Sequence, residues 1–167
     1  LREYGSARQK YEEREFVAKF TPEQAASIAA IKQVVYEWGD ELDINSGLKM
    51  TEADVLTQDV RYNVGGEWRE GLEAAQGFYD ARWERLQAAG GAPVMRHLLT
   101  NLRIKFTGED SATASYQLLF FAATGEPPFV GKADPLAVAD VTMETRREAD
   151  GHWRISLFDS GQIFQRG

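Results

Sequence analysis

The chain carries two histidines and no cysteine, so proton-transfer chemistry has few places to reside and thiolate chemistry has none. His152 follows Asp150-Gly151, a dipeptide typical of hairpin turns, and reads as a solvated turn residue. His97 differs: it lies between Met95 and Leu99 in an extended apolar stretch, on the parity assigned to the interior. An imidazole in that position is either a buried ring satisfied by one hydrogen bond or a general base titrating near neutrality. The second reading needs a carboxylate. A carboxylate holding one ring nitrogen fixes the tautomer and raises imidazole basicity. The other nitrogen can then take a proton from substrate and return it to a departing hydroxyl on the same face. Such a dyad requires neither metal nor cofactor. Asp43 is the candidate partner, since it lies one residue past Leu42 at the edge of a helical apolar stripe. Asp40, Glu41 and Asp43 crowd the last turn of that helix, where the dipole disfavours each negative charge by about 0.3–1 kcal/mol. The ordinary explanation of such acids is a solvated helix end, with Asp43 capping the turn at Asn45–Gly47.

Tyr62 and Tyr116 are candidate hydroxyl donors for polarising a carbonyl, and equally candidate core or rim aromatics. Asp159 is a second candidate acid. Trp38, Met95, Leu99, Leu118, Phe120, Met143 and Leu157 are core residues by type, and become substrate contacts where the interior is left unfilled. No phosphate loop, Ser-His-Asp order, zinc spacing or dinucleotide fingerprint is present.

These groups need elements to hold them. Residues 1–20 are dense in charges of both signs and read as an N-terminal arm that packs on a neighbouring subunit. Residues 21–167 read as one domain. Thr21-Pro22-Glu23-Gln24 supplies an N-cap, a proline at the first helical position and a Gln that closes a capping box. Ile28, Ile31, Val35, Trp38 and Leu42 follow as one apolar stripe, and Asn45-Ser46-Gly47 ends the helix. Thr51 and Asp54 predict a second, brief helix. Val60 to Val64 reads as a short strand stopped by Gly65-Gly66, and a helix is predicted over 69–89. Four long strands follow at 94–106, 112–123, 137–148 and 153–164, rich in β-branched and aromatic residues. Met95, His97 and Leu99 share one parity and Leu102, Ile104 and Phe106 the other, which predicts a β-bulge near Thr100-Asn101. The order fits an α+β fold: a strongly curved, mostly antiparallel sheet wrapped around N-terminal helices, a cone with one apolar pocket.

The 167 residues are the size of one domain, with 43% hydrophobic and 27% charged residues, which is ordinary globular usage. A formal net charge of −7 repels nucleic acid and anionic membranes. The adjacent Arg146-Arg147 pair is flanked by Glu144 and Glu148, so it makes no basic stripe. No apolar run approaches the ~20 residues of a membrane span, and no signal-peptide pattern opens the chain. The expectation is a cytoplasmic protein.

Ala30-Ile31 through Leu42-Asp43, then Asp59-Val60-Arg61-Tyr62, then His97-Leu98-Leu99-Thr100-Asn101-Leu102-Arg103 resemble the SnoaL-like group of the nuclear transport factor 2-like superfamily, with its cystatin-like cone. The likeness is greatest to the lyase branch with scytalone dehydratase, bile acid dehydratase and hexachlorocyclohexane dehydrochlorinase. The resemblance implies that Asp43 and His97 pair as a catalytic dyad, without a cofactor, and that the protein forms a homodimer or homotrimer. It also marks departures. Trp38 and the Leu157-Phe158 region stand where the dehydrochlorinase has a lysine and an arginine, so no cation is expected for a leaving halide. Trp38 also replaces the helix tyrosine of bile acid dehydratase. The implied function is a cofactor-independent, dehydratase-like lyase or isomerase acting on a hydrophobic cyclic small molecule. The alternatives are a non-catalytic binding or assembly module, such as a ring-hydroxylating dioxygenase β-subunit-like protein, and a polyketide-type cyclase.

Overall fold

A computed structural model describes residues 20–131 and 134–166. The arm expected over 1–20 lies outside the described residues except for Phe20, whose ring meets Phe106 edge-on at 6.4 Å. Helix α1 spans Pro22–Asn45. Its start is the predicted capping box: Gln24 N donates to Thr21 Oγ1 at 3.2 Å, and Thr21 N donates to Gln24 Oε1 at 3.1 Å. Its apolar stripe is buried at Ile31, Val35, Trp38 and Leu42, each side chain contributing roughly 1.5–3 kcal/mol relative to exposure. Ser46 stops the helix in the left-handed region at φ 59°.

The next segment departs from expectation. No helix forms after Thr51; residues 46–54 are turns, and Asp54 adopts φ 57°. A left-handed non-glycine residue interrupts helical continuation, and the buried side chains of Met50 and Val55 pin the turn down instead. The buried Glu41 organises this loop by accepting from Lys49 N and Asn45 Nδ2, both at 2.7 Å. A negative charge at a helix C-terminus is thereby matched by local donors.

Strand β1 (Leu56–Val64) is longer than its sequence suggested, and Gly65-Gly66 turns it into a short β2 (Glu67–Glu70). Both glycines have positive φ, as a tight two-residue hairpin requires. Helix α2 covers Leu72–Ala88. The meander then runs β3 (Val94–Phe106), β4 (Ser111–Ala123), β5 (Ala137–Arg147) and β6 (Trp153–Gln165). The six strands form one open, mixed sheet in the order β2-β1-β6-β5-β4-β3, antiparallel throughout except for the β1–β6 pair.

Two irregularities decide which side chains face inward. The β3–β4 register shifts between Thr100 and Arg103, with Asn101 at φ 56°. This is the predicted bulge, and it lets both apolar sets of β3 face the helices. A second shift lies between Glu144 and Thr145, where Ser156 is the extra residue of β6. It reverses parity along β6: Ile155 and then Phe158 are buried, while Leu157 is only half-buried.

A polar chain crosses the core. Trp38 Nε1 donates to Tyr62 Oη at 2.8 Å, and the hydroxyls of Tyr62 and Tyr79 lie 2.5 Å apart. Tyr62 also stacks on Phe158, with centroids 4.6 Å apart. The indole can only donate, so the Tyr62 oxygen accepts from it. Tyr62 is fully buried and its hydroxyl proton has one acceptor available, the Tyr79 oxygen. Either hydroxyl can donate across the Tyr62–Tyr79 contact; donation by Tyr62 pairs a buried proton whose isolation would cost about 1–3 kcal/mol. Burial holds the Tyr62 hydroxyl well above the ordinary tyrosine range and pushes Tyr79 up to about 12.

Two expectations follow from this core. Gly47 has φ 82°, and a Cβ there would overlap the Tyr79 ring. Gly47→Ala should therefore destabilise the fold by about 2–5 kcal/mol in urea unfolding, from backbone strain and overpacking together; a change within experimental error would contradict this packing. The tyrosines make stability depend on alkali. Their native state favours the neutral hydroxyl, whereas in the unfolded chain tyrosine ionises at its ordinary value of 10.0. The stabilisation is complete below that value and is lost as pH rises toward about 12. Urea midpoints should fall across this window, with tyrosinate absorbance appearing alongside unfolding; a flat profile would exclude the buried chain.

Candidate active site

The end of α1 brings Asp43 against β3. The carboxylate Oδ1 lies 2.6 Å from His97 Nδ1, and both carboxylate oxygens accept the His97 backbone N–H at 3.0 Å. One residue thus presents ring and backbone to a single carboxylate, which fixes both the rotation of the imidazole and its height in the strand. Asp43 carries no proton to offer when ionised, so Nδ1–H is the donor, and in the neutral ring Nε2 keeps its lone pair. The side chains are nearly buried, at 8% exposure for His97 and 12% for Asp43. Aromatic neighbours hold the ring from two sides: Phe120 lies 4.8 Å away, tilted, and Trp38 6.2 Å away, edge-on.

Nε2 makes no hydrogen bond to the described residues, nor is it sealed in. Among them the buried side-chain polar atoms without partners are Thr57 Oγ1 and Asn63 Oδ1. His97 lines a cavity of about 650 Å³ between the concave sheet and the two helices. Its apolar wall comes from Trp38, Leu42, Phe78, Leu118, Phe120 and Phe158. Asp43 faces the other way, into a separate hollow at the end of α1 that it shares with Asp40, Lys49 and Arg96. The dyad is therefore a partition, with the carboxylate toward a polar groove and the imidazole toward an apolar cavity.

Of the residues singled out in the sequence, Trp38, His97, Leu118, Phe120 and Asp159 line the cavity. Others sit elsewhere. Tyr62 is committed to Trp38 and Tyr79 in the core. Tyr116 and Met143 are buried against one another, with the hydroxyl 3.9 Å from the thioether, and neither borders the cavity. Leu99 packs beneath Gly39 of α1, and Met95 lies under the Arg82 guanidinium. Phe158 replaces Leu157 at the cavity because the β6 bulge reverses parity there.

Three polar residues of the wall escaped the sequence reading. Tyr79 and Arg82 come from α2, where Tyr79 falls on the apolar spacing of the helix and Arg82 is one of its charged residues. Tyr79 ends the chain from Trp38 and borders the cavity. Arg82 borders the cavity, and its Nη2 reaches Met95 Sδ at 3.1 Å. Asn63 borders it from β1 and donates to Asp159 Oδ1 at 2.7 Å. A basic nitrogen, a neutral hydroxyl and a guanidinium around one apolar space can remove a proton, polarise a carbonyl and hold an anion.

Comparison with known proteins agrees with this architecture. The family model described as SnoaL-like domain matches residues 23–159. No curated protein matches the chain. Among solved structures, hexachlorocyclohexane dehydrochlorinase LinA-type3 from Novosphingobium barchaimii superposes with a TM-score of 0.68 at 23% identity, covering 86% of this chain and 91% of that one. A protein from Catenulispora acidiphila gives 0.67 at 20% identity, over 83% and 93%. An NTF2-like protein with a cystatin-like fold from Novosphingobium aromaticivorans gives 0.64 at 20% identity, over 95% and 87%. At these identities the structures speak for the fold, and the family match spans most of the domain. The chain belongs to the SnoaL-like family.

Proposed function

We propose that the protein is a cofactor-independent lyase or isomerase of the dehydratase type, acting on a hydrophobic cyclic small molecule. His97 is the base and Asp43 its orienter. The observation that carries this reading is the asymmetry of the imidazole: Nδ1 is held by a carboxylate at 2.6 Å, while Nε2 is unbonded at the wall of an apolar cavity. In the proposed reaction Nε2 takes a proton from carbon next to a carbonyl. The electron pair moves toward the carbonyl oxygen, which the Tyr79 hydroxyl stabilises. In a dehydration the imidazolium then returns the proton to the departing hydroxyl as the carbon–oxygen bond breaks; in an isomerisation it returns the proton to a different carbon. Asp43 stabilises the transient imidazolium throughout.

The non-catalytic assembly alternative expects a filled cone, and a cavity of about 650 Å³ argues against it. Absence of a long apolar helix among the described residues is compatible with a cytoplasmic location, which belongs to the same proposal, as does self-association into a dimer or trimer.

Proton abstraction can be followed without the natural substrate. In D₂O the protein should catalyse hydrogen–deuterium exchange beside the carbonyl of a bicyclic ketone such as 2-tetralone, read by proton NMR. His97→Gln should abolish catalysed exchange with the fold preserved. Asp43→Asn should lower it about 10²–10⁴-fold, and Tyr79→Phe about 10²-fold or more in kcat. Exchange unchanged in His97→Gln would eliminate the mechanism.

A further inference from the structure

The cavity wall holds a guanidinium that the dyad mechanism does not use. Arg61, Arg69, Arg146, Arg147 and Arg154 are each paired with a carboxylate; Arg85, Arg96, Arg103 and Arg166 make no ion pair with the described residues, but none of these four borders the cavity. Arg82 is half-buried and has no carboxylate of the described residues within ion-pair distance. Its one recorded acceptor is the Met95 thioether at 3.1 Å, among the weakest acceptors a protein offers. A guanidinium has five N–H donors in a planar fork, and a half-buried one with donors unmet is the arrangement that takes an anion bidentately.

Its placement is specific. Arg82 follows Phe78 and Tyr79 by one helical turn, and all three border the cavity. The contact with Met95 sets the guanidinium over β3, where Met95 and His97 share one face and are separated by about 6.6–6.8 Å along the strand. Carboxylates around the site are engaged elsewhere: Asp43 with His97, Glu41 with Lys49 N and Asn45, and Asp159 with Asn63 at 2.7 Å on β6, three strands from β3.

We infer that Arg82 is a specificity-determining residue that binds a carboxylate carried by the substrate, so that the cavity selects aromatic or alicyclic acids over neutral analogues of the same shape. The inference rests on reading the cavity as the substrate site, and it supplies the substrate class that the dyad leaves open. The acid is anchored at Arg82 while the carbon to be deprotonated lies a few bonds away, at His97 Nε2.

Calorimetric titration with 1-naphthoate and with 1-naphthamide tests this without any turnover. The wild-type protein should bind the carboxylate at least about tenfold more tightly than the amide. Arg82→Gln should lose that preference through weaker naphthoate binding, with amide binding unchanged as a control for an intact cavity; Arg82→Lys should keep part of it. His97→Gln should retain the preference, so loss of the dyad chemistry and loss of acid recognition are told apart. Equal affinities in the wild-type protein, no binding of either compound, or a preference that survives Arg82→Gln would each overturn the inference.

Discussion

One carboxylate ties the end of the first helix to the sheet. Asp43 accepts the ring and the backbone N–H of the same histidine, and this restricts more than proton chemistry. It sets how far α1 runs before it must stop, and it sets the register of β3 against the helix. It also turns Nε2 away from the carboxylate that holds the ring. A charge at a helix C-terminus is unfavourable by itself. Here Glu41 is matched by the donors of its own loop, and Asp43 by a strand. The acidic last turn is thus a joint between helix and sheet.

The cavity exists because this joint is not covered by side chains. Trp38 and Phe120 clamp the imidazole from two sides but leave its third edge free. The remaining aromatic volume is drawn into the stack of Tyr62 on Phe158 and the hydroxyl chain from Trp38. That chain runs from Trp38 through Tyr62 to Tyr79, which borders the cavity. A core feature and a site feature are therefore the same set of bonds. Burial, which keeps both hydroxyls neutral far above physiological pH, preserves Tyr79 as a donor.

Much of this was legible in the residues. The capping box at Thr21, the apolar stripe of α1 and the parity break near Asn101 follow rules of short range, and the chain obeys them. The pairing of Asp43 with His97 was open in the sequence, because an acid at a helix end has an ordinary explanation as a solvated cap; only the approach of β3 decides. Other features depend on what arrives from far along the chain. The β6 bulge at Ser156 exchanges Leu157 for Phe158, and no local pattern announces it. The turn through Asp54 was read as a helix because its cap-like residues outweighed an invisible left-handed dihedral. Tyr79 reads in the sequence as one more apolar position and Arg82 as one more charge, since α2 offers its cavity face as a mixture of aromatic and charged residues whose roles appear only when β3 lies opposite.

The most direct measurement of the central claim is the tautomer of His97, read from imidazole ¹⁵N shifts and their couplings in the neutral ring. The proton should reside on Nδ1, with Nε2 showing the shift of an unprotonated nitrogen, and Asp43→Asn should disturb that state. A wild-type ring protonated at Nε2, or a tautomer indifferent to Asp43, would contradict it.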